Sequence, residues 1–263
     1  MNSGLARVRI SVFIICFNES KRIRRCLESV KWCDEIVIID SGSTDNTLAI
    51  CREYTDRIFV REWPGYVEQK CFGLSQCRHE WVLNLDADEE VSEGLRDEIV
   101  SKVLSADSKI GQINGFYLSR IVFYLNRWWR RGGWFPEYRL RLCRRSVTKW
   151  GGENPHEKAI VEGPTHKLEG ELFHYTYDSI SDHILRLNRY SSTAAESMHR
   201  RGKRATPLNL VFNPVTRFLK FYFVKKGFRE GVPGLLVAFL EGYYVLLKYI
   251  KLWELELRRT SSP

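Results

Sequence analysis

From residue 11 onward the chain alternates between short runs of consecutive apolar residues and stretches whose apolar residues recur every three or four positions. SVFIICF (11–17), EIVIID (35–40), RIFVREW (57–63) and EWVLNLD (80–86) are runs of strand length, the first rich in β-branched residues. Such runs predict strands buried on both faces. Between them, ESKRIRRCLESV sets Ile23, Cys26, Leu27 and Val30 at helical spacing. STDNTLAICREY opens with capping residues, and VEQKCFGLSQC reads as a third helix. Repeated βα units predict a parallel, doubly wound sheet, whose ligands gather beyond the carboxyl ends of its strands. Three polar clusters fall at those ends: FNES, DSGSTD and DADEE. One such cluster is ordinary loop or capping chemistry; three on one rim predict a ligand site.

The rhythm changes near residue 109. The stretch up to 145 is aromatic and basic, and within it YRLRLCRR alternates like a strand. KWGGENPHEKAIVEG reads as loop, ELFHYTY as a short strand, and residues 178–203 as one long helix with a basic end. In NLVFNPVTRFLKFYFVKKGF, Val211, Phe212, Val215, Phe218, Leu219 and Tyr222 share a helical face, with Arg217 and Lys220 opposite. That pattern predicts a helix lying on a membrane surface. REGVPG breaks it, and LLVAFLEGYYVLLKYIKLWELE follows. The second stretch is nearly long enough to span a bilayer. Glu241 and Lys248 share one of its stripes, however, which favours lying on the membrane over crossing it; packing against the rest of the protein is the alternative. The expected division is 1–108, 109–177 and a helical region over 178–263.

Composition narrows the picture. A chain of 263 residues with 44% hydrophobic content suits one large domain, or one domain with an appendage. A formal net charge of +9 predicts an anionic partner: nucleic acid, an acidic membrane surface or a phosphorylated substrate. No nucleic-acid-binding motif is present in the sequence. Seven cysteines without a CxxC predict reduced thiols in a cytoplasmic protein. The apolar run Ile10–Phe17 is too short to span and lacks a following cleavage site, so it reads as a first strand and not as a signal peptide.

The acidic cluster carries the candidate chemistry. Asp86 and Asp88 set two carboxylates side by side at a predicted strand end. Their repulsion is relieved by a divalent cation that takes both as oxygen ligands. The bland alternative is an acidic loop capping the helix SEGLRDEIVSKVL. An EF-hand loop would need Gly and Glu where Val91 and Asp97 stand. A DxDx[TV] phosphatase motif would need Thr or Val where Glu90 stands.

Taken together, SVFIICFNES, IVIIDSGSTDNT, QKCFGL and WVLNLDADEE resemble the nucleotide-binding half of family 2 glycosyltransferases. The resemblance continues through RLRLCRR, PHE, HYTY and LNRYSS into the C-terminal region. It is nearest to the subgroup that builds the lipopolysaccharide inner core, glucosyltransferases in particular. It implies an α/β GT-A fold, a Rossmann-like doubly wound mixed sheet with a C-terminal amphipathic helical appendage. The implied reaction is inverting, metal-dependent transfer of a hexose, glucose foremost, from a UDP-linked donor to a lipid-linked saccharide. By position, Phe17, Glu19, Asp40, Ser43, Lys70 and Asp86 match nucleotide-site residues. Asp88, Asp86 and His174 match ligands for Mn²⁺ or Mg²⁺. Glu157, in the PHE motif, matches the general base, with Glu153 as the alternative. Cys71 departs from the Asn frequent in relatives. Glu137 reads better as a partner of nearby arginines. Arg127, Arg130, Arg131, Arg139 and Arg141 suit either a phosphorylated saccharide or a solvated basic face. The implied place of work is the inner face of the bacterial inner membrane, with peripheral attachment to its anionic surface. A sugar-phosphate nucleotidyltransferase is the rival enzyme, but CFNESKRIRR lacks the glycine-rich loop such enzymes carry. A non-catalytic basic membrane-binding module would leave the acidic rim unexplained.

Overall fold

The computed structural model describes residues 8–103, 112–152 and 157–260. Its first part follows the predicted alternation: β1 (Ile10–Cys16), α1 (Ile23–Ser29), β2 (Glu35–Asp40), α2 (Thr47–Arg52), β3 (Ile58–Val60), α3 (Tyr66–Gln76) and β4 (Trp81–Asp86). Every residue of β1 is buried, because β2 and β4 flank it in parallel and both faces are covered. Ile14 lies opposite Ile38 on one side and Leu85 on the other. Ile10, Val12 and Ile14 pack with Ile23 and Leu27 of α1, while Phe13 and Ile15 face the opposite layer with Phe72 of α3. Gly73 permits that second contact, since a Cβ there would stand 2.4 Å from Phe13 Cδ2. The third strand is shorter than the run 57–63 predicts, because Trp63, Pro64 and Gly65 turn the chain into α3.

The chain continues through β5 (Glu89–Val91), α4 (Glu93–Val103), β6 (Gly115–Tyr124), β7 (Arg127–Trp129), β8 (Glu137–Arg144), β9 (Thr148–Gly151), β10 (Lys158–Val161) and β11 (Thr165–His174). The strands run in the order β3-β2-β1-β4-β8-β6-β11-β5. β8 joins β4 antiparallel, which makes the sheet mixed. The segment read as loop contains a small antiparallel ribbon, with Lys158 of β10 opposite Gly151 of β9. Its strands are half exposed and carry glycine and lysine, so no apolar run marks them.

Two compact units emerge. One holds the residues up to Ile121 with Glu137–Tyr175; the other holds Val122–Pro136 with the residues from Thr176. The expected divisions fall at 108 and 177; in the structure the end of β6 and the whole of β7 group with the C-terminal helices. The second unit contains α5 (Ile180–Arg200), α6 (Pro207–Leu219) and α7 (Gly231–Thr260). Ser179 caps α5 by accepting from the Asp182 N–H, and Thr206 and Asn209 form a capping box on α6. Regular α-helix ends at Leu219, and α7 begins at Gly231, inside the predicted break. Tyr124, Trp129, Phe221 and Val237 form this unit's core. His183 is buried beside it, stacked on Tyr177 with ring centres 3.9 Å apart and with Nδ1 3.2 Å from the Tyr124 hydroxyl. Burial pulls its pKa down to about 4.

Candidate active site

The parallel register brings the predicted clusters together. Cys16 lies opposite Asp40, and Ile15 opposite Asp86. The loops after β1, β2 and β4 therefore leave from neighbouring strand ends. Asp40 is fully buried. One of its oxygens accepts from the Gly42 and Ser43 N–H groups at 2.8 Å each, and the other from the Ser43 hydroxyl. Gly42 takes a φ of +88°, which this tight turn requires. Asn18 ties the loop after β1 to the loop after β2. Its N–H donates to Ser43 Oγ and its side-chain oxygen accepts from the Thr44 N–H, both at 2.8 Å. Its φ of 53° is a left-handed conformation that Asn tolerates. The Glu19 N–H donates to Thr47 Oγ1, its carboxylate pairs with Arg22, and Phe17 is exposed beside it. Phe17, Glu19, Asp40 and Ser43 thus belong to one pair of interlocked loops.

Asp86 sits in an ionic network. Arg141 donates to Asp86 Oδ2, to Glu89 Oε1 at 2.6 Å and to Asn84 Oδ1 at 2.9 Å. Lys70 Nζ lies 3.3 Å from Asp86 Oδ1. Burial would raise the Asp86 carboxyl, but the charges of Arg141 and Lys70 outweigh it and hold the acid well below the usual carboxylate range. Arg141 is 5% exposed, which removes it from the solvated face that its sequence neighbourhood suggests. The reason is register: Leu83 opposes Leu142 across β4 and β8, so the next pair inward, Asn84 and Arg141, share a face. Glu137 pairs with Arg120 and Arg139, as expected for a carboxylate among arginines.

Asp88 turns toward a different partner. Its Oδ2 lies 3.3 Å from His174 Nε2, and its carbonyl accepts from the Tyr175 N–H at 2.9 Å. β5 and β11 pair antiparallel with His174 opposite Glu89, which carries the imidazole to the DADEE turn. Burial pushes the Asp88 carboxyl up, and His174 more than reverses it, leaving the acid below its ordinary range. A carboxylate oxygen beside an imidazole nitrogen is a donor pair that Mn²⁺ and related cations accept. Among the described residues, no three His, Cys, Asp or Glu side chains already form a metal cluster.

Lys70 links the acidic end of β4 to the β9–β10 ribbon. It is 2% exposed and stands 3.1 Å from Glu157 Oε1 and 4.9 Å from the centre of the Trp150 ring. Glu153, the alternative base, lies outside the described residues. Four polar atoms around these groups are buried without a hydrogen-bond partner in the chain: Gln69 Oε1, Asn84 Nδ2, Arg141 Nε and Trp150 Nε1. Such orphans are uncommon in native proteins and mark sites completed by something other than the chain itself. Asn18, Glu89 and Trp150 were absent from the predicted site. An Asn directly after a buried strand was the available signal for the first. The other two depend on strand pairing.

The comparisons with known proteins bear on the family and the fold. Residues 11–154 match the model of "Glycosyl transferase family 2". The chain is 33% identical over 262 residues to the lipopolysaccharide core biosynthesis glycosyltransferase LpsC of Rhizobium meliloti, covering 95% of this chain and 94% of that one. It is 30% identical over 270 residues to an uncharacterized glycosyltransferase of Rickettsia conorii, covering 98% and 94%. Among solved structures it resembles the mannosyltransferase PcManGT of Pyrobaculum calidifontis, solved with GDP-Man and Mn²⁺. The TM-score is 0.55 at 14% identity, with 95% of this chain and 88% of that one covered. That likeness is one of fold, the mixed α/β sheet of GT-A enzymes. On the strength of its own sequence and of the fold it adopts, the chain belongs to glycosyltransferase family 2 and is a sugar-transferring enzyme.

Proposed function

We propose that this enzyme moves a hexose, glucose foremost, from a UDP-linked donor to a lipid-linked saccharide such as the lipopolysaccharide inner core, with inversion at the anomeric carbon. It would work at the inner face of the bacterial inner membrane, attached peripherally. The relative named for lipopolysaccharide core biosynthesis, similar over nearly its whole length, supports the acceptor class. In this reading Phe17, Glu19, Asp40 and Ser43 receive the base and ribose. Asp88 and His174, with Asp86 beside them, hold Mn²⁺ or Mg²⁺, which when bound neutralises charge on the departing diphosphate. Glu157 accepts the proton of the acceptor hydroxyl as its oxygen attacks the anomeric carbon, and UDP leaves from the opposite face. Lys70 keeps Glu157 oriented and adds positive charge where the diphosphate departs.

The observation that carries the reading is Lys70 Nζ standing between Asp86 Oδ1 and Glu157 Oε1, at 3.3 and 3.1 Å. One ammonium thereby joins a carboxylate of the donor side to the base. The test is a donor panel with purified enzyme and truncated core lipopolysaccharide, with Mn²⁺ or with chelator, read by mass spectrometry of the acceptor. A single added hexose from the UDP donor, abolished by chelator, is expected. Transfer undiminished by chelator would remove the metal from the reaction, and no gain in acceptor mass with any donor would remove the acceptor class.

A further inference from the structure

The second compact unit turns a large apolar face to solvent. On α6, Leu208, Val211, Phe212, Val215 and Leu219 recur every three or four residues, and all are exposed. No residue of α6 is fully buried. α7 has two apolar faces. Val237, Ala238, Val245 and Leu252 point inward and are buried, while Val232, Leu236, Phe239, Tyr243, Ile250 and Trp253 point outward and are exposed. The two outer stripes lie on the same side of the pair. Phe218 meets Phe239 with ring centres 4.8 Å apart on that side, whereas Arg217 and Glu241 form their ion pair on the other. Phe223, Val224 and Phe228, in the connection between the helices, are exposed as well. Scattered exposed apolar residues are ordinary, but a continuous face of this width marks an interaction surface.

The charge pattern selects the partner. Between Arg201 and Leu240 the one acidic residue is Glu230. It is buried and paired with Arg127 and Arg131. Lys220, Lys225, Lys226 and Arg229 are all exposed around the connection. A rim of one sign opposes pairing with a second copy of itself and complements anionic headgroups. Among the described residues no helix is long and apolar enough to cross a membrane. α7 has 30 residues, about 45 Å of helix, and Lys248, Lys251, Glu254 and Glu256 along its course.

We propose that the outer face of α6 and α7, with the connection between them, is the surface by which this enzyme docks on an anionic phospholipid bilayer, both helices lying in the headgroup plane. The proposal rests on the membrane-bound part of the reading above and names the side chains that would perform it. Aromatic and aliphatic side chains of the two stripes enter the acyl boundary, and the lysines of the connection meet phosphates.

Flotation of the full chain tests it, using vesicles of phosphatidylethanolamine and phosphatidylglycerol against vesicles of phosphatidylcholine alone. The expected result is flotation with the anionic vesicles only. Phe212→Ser with Val215→Ser should lower partitioning more than tenfold, and Lys225→Gln with Lys226→Gln about fivefold per cation. These positions are exposed, and an unchanged circular dichroism spectrum confirms that each variant is folded. UDP release from the soluble donor, measured on the same preparations, separates this proposal from the catalytic reading: the apolar variants should lose flotation and keep donor turnover. Flotation of the Phe212→Ser, Val215→Ser variant equal to that of the parent overturns the proposal. So does a stable dimer in light scattering that this double substitution dissociates, for the face would then belong to a second copy.

Discussion

Replacing Arg141 with Met should show how strongly the acidic end of β4 depends on one buried guanidinium. Arg141 is enclosed and satisfies Asp86, Glu89 and Asn84 at once. Met fills a similar volume without charge or donors, so Asp86 keeps Lys70 alone and Glu89 keeps Arg120 at 3.4 Å. Removing one member of a buried ion pair typically costs about 3–5 kcal/mol, because the remaining charge stays out of water. In a chain of this size that corresponds to a fall in Tm of roughly 10 °C. The pH dependence follows from the depressed Asp86 acid. In the parent, its ion-pair stabilisation is present above the unfolded carboxyl pKa and is lost as pH falls through the folded value. In the variant the buried carboxylate lacks its main counter-charge and takes up a proton more readily. The deficit relative to the parent should therefore shrink between about pH 7.5 and about pH 5. Urea unfolding followed by circular dichroism at the two pH values measures both quantities. Arg141→Lys, which keeps the charge but loses the planar fork, should fall between them. A loss for Arg141→Met below about 1 kcal/mol would show that the network is not under the strain of burial assigned to it, and an equal deficit at both pH values would show that Asp86 is not the group left exposed to the loss.

Two other predictions follow. Glu157→Gln should keep donor affinity and lose about 10²–10⁴-fold in transfer rate, read by steady-state kinetics; normal turnover in this variant together with a dead Glu153→Gln would move the base to Glu153. His183 stays neutral in the fold with its pKa pulled down to about 4, while the unfolded chain protonates it below about 6.5, so acidification through that window should remove up to about 3 kcal/mol of stability. Comparing pH-dependent unfolding of the parent and His183→Phe checks this, and identical slopes would refute it.

Much of the parallel first part of the sheet was legible because its strands are buried on both faces. β1, β2 and β4 appear as unbroken apolar runs, and the polar residues ending them, Asp40 and Asp86 among them, stand out by contrast. β5, β9 and β10 were not legible, since strands of three or four residues leave no pattern long enough to read, and β9 and β10 are half exposed as well. The Arg141 network was hidden for another reason. Its alternation in RLRLCRR marks a strand face, but only the pairing of β8 with β4 reveals that the face is internal and opposes Asn84. His174 was named only through family resemblance, and the meeting with Asp88 depends on β11 lying between β6 and β5 and pairing with β5. The grouping of Val122–Pro136 with the C-terminal helices rests on long-range packing around Trp129 and Phe221, for which neighbouring residues carry no signal. The apolar periodicity of α6 was plain in the sequence and was read as a membrane-facing stripe, with packing on the rest of the protein as the alternative; Leu208, Val211, Phe212, Val215 and Leu219 are exposed.

In the proposed function Asp88, with His174, would bind the cation that anchors the donor diphosphate. Titration calorimetry with UDP, in the presence of Mn²⁺ and in its absence, addresses it directly in the parent and in Asp88→Ala. Mn²⁺ should tighten UDP binding to the parent, and folded Asp88→Ala should retain the metal-free affinity but lose the gain. A folded Asp88→Ala that binds UDP with the parent's full Mn²⁺-dependent affinity would contradict it.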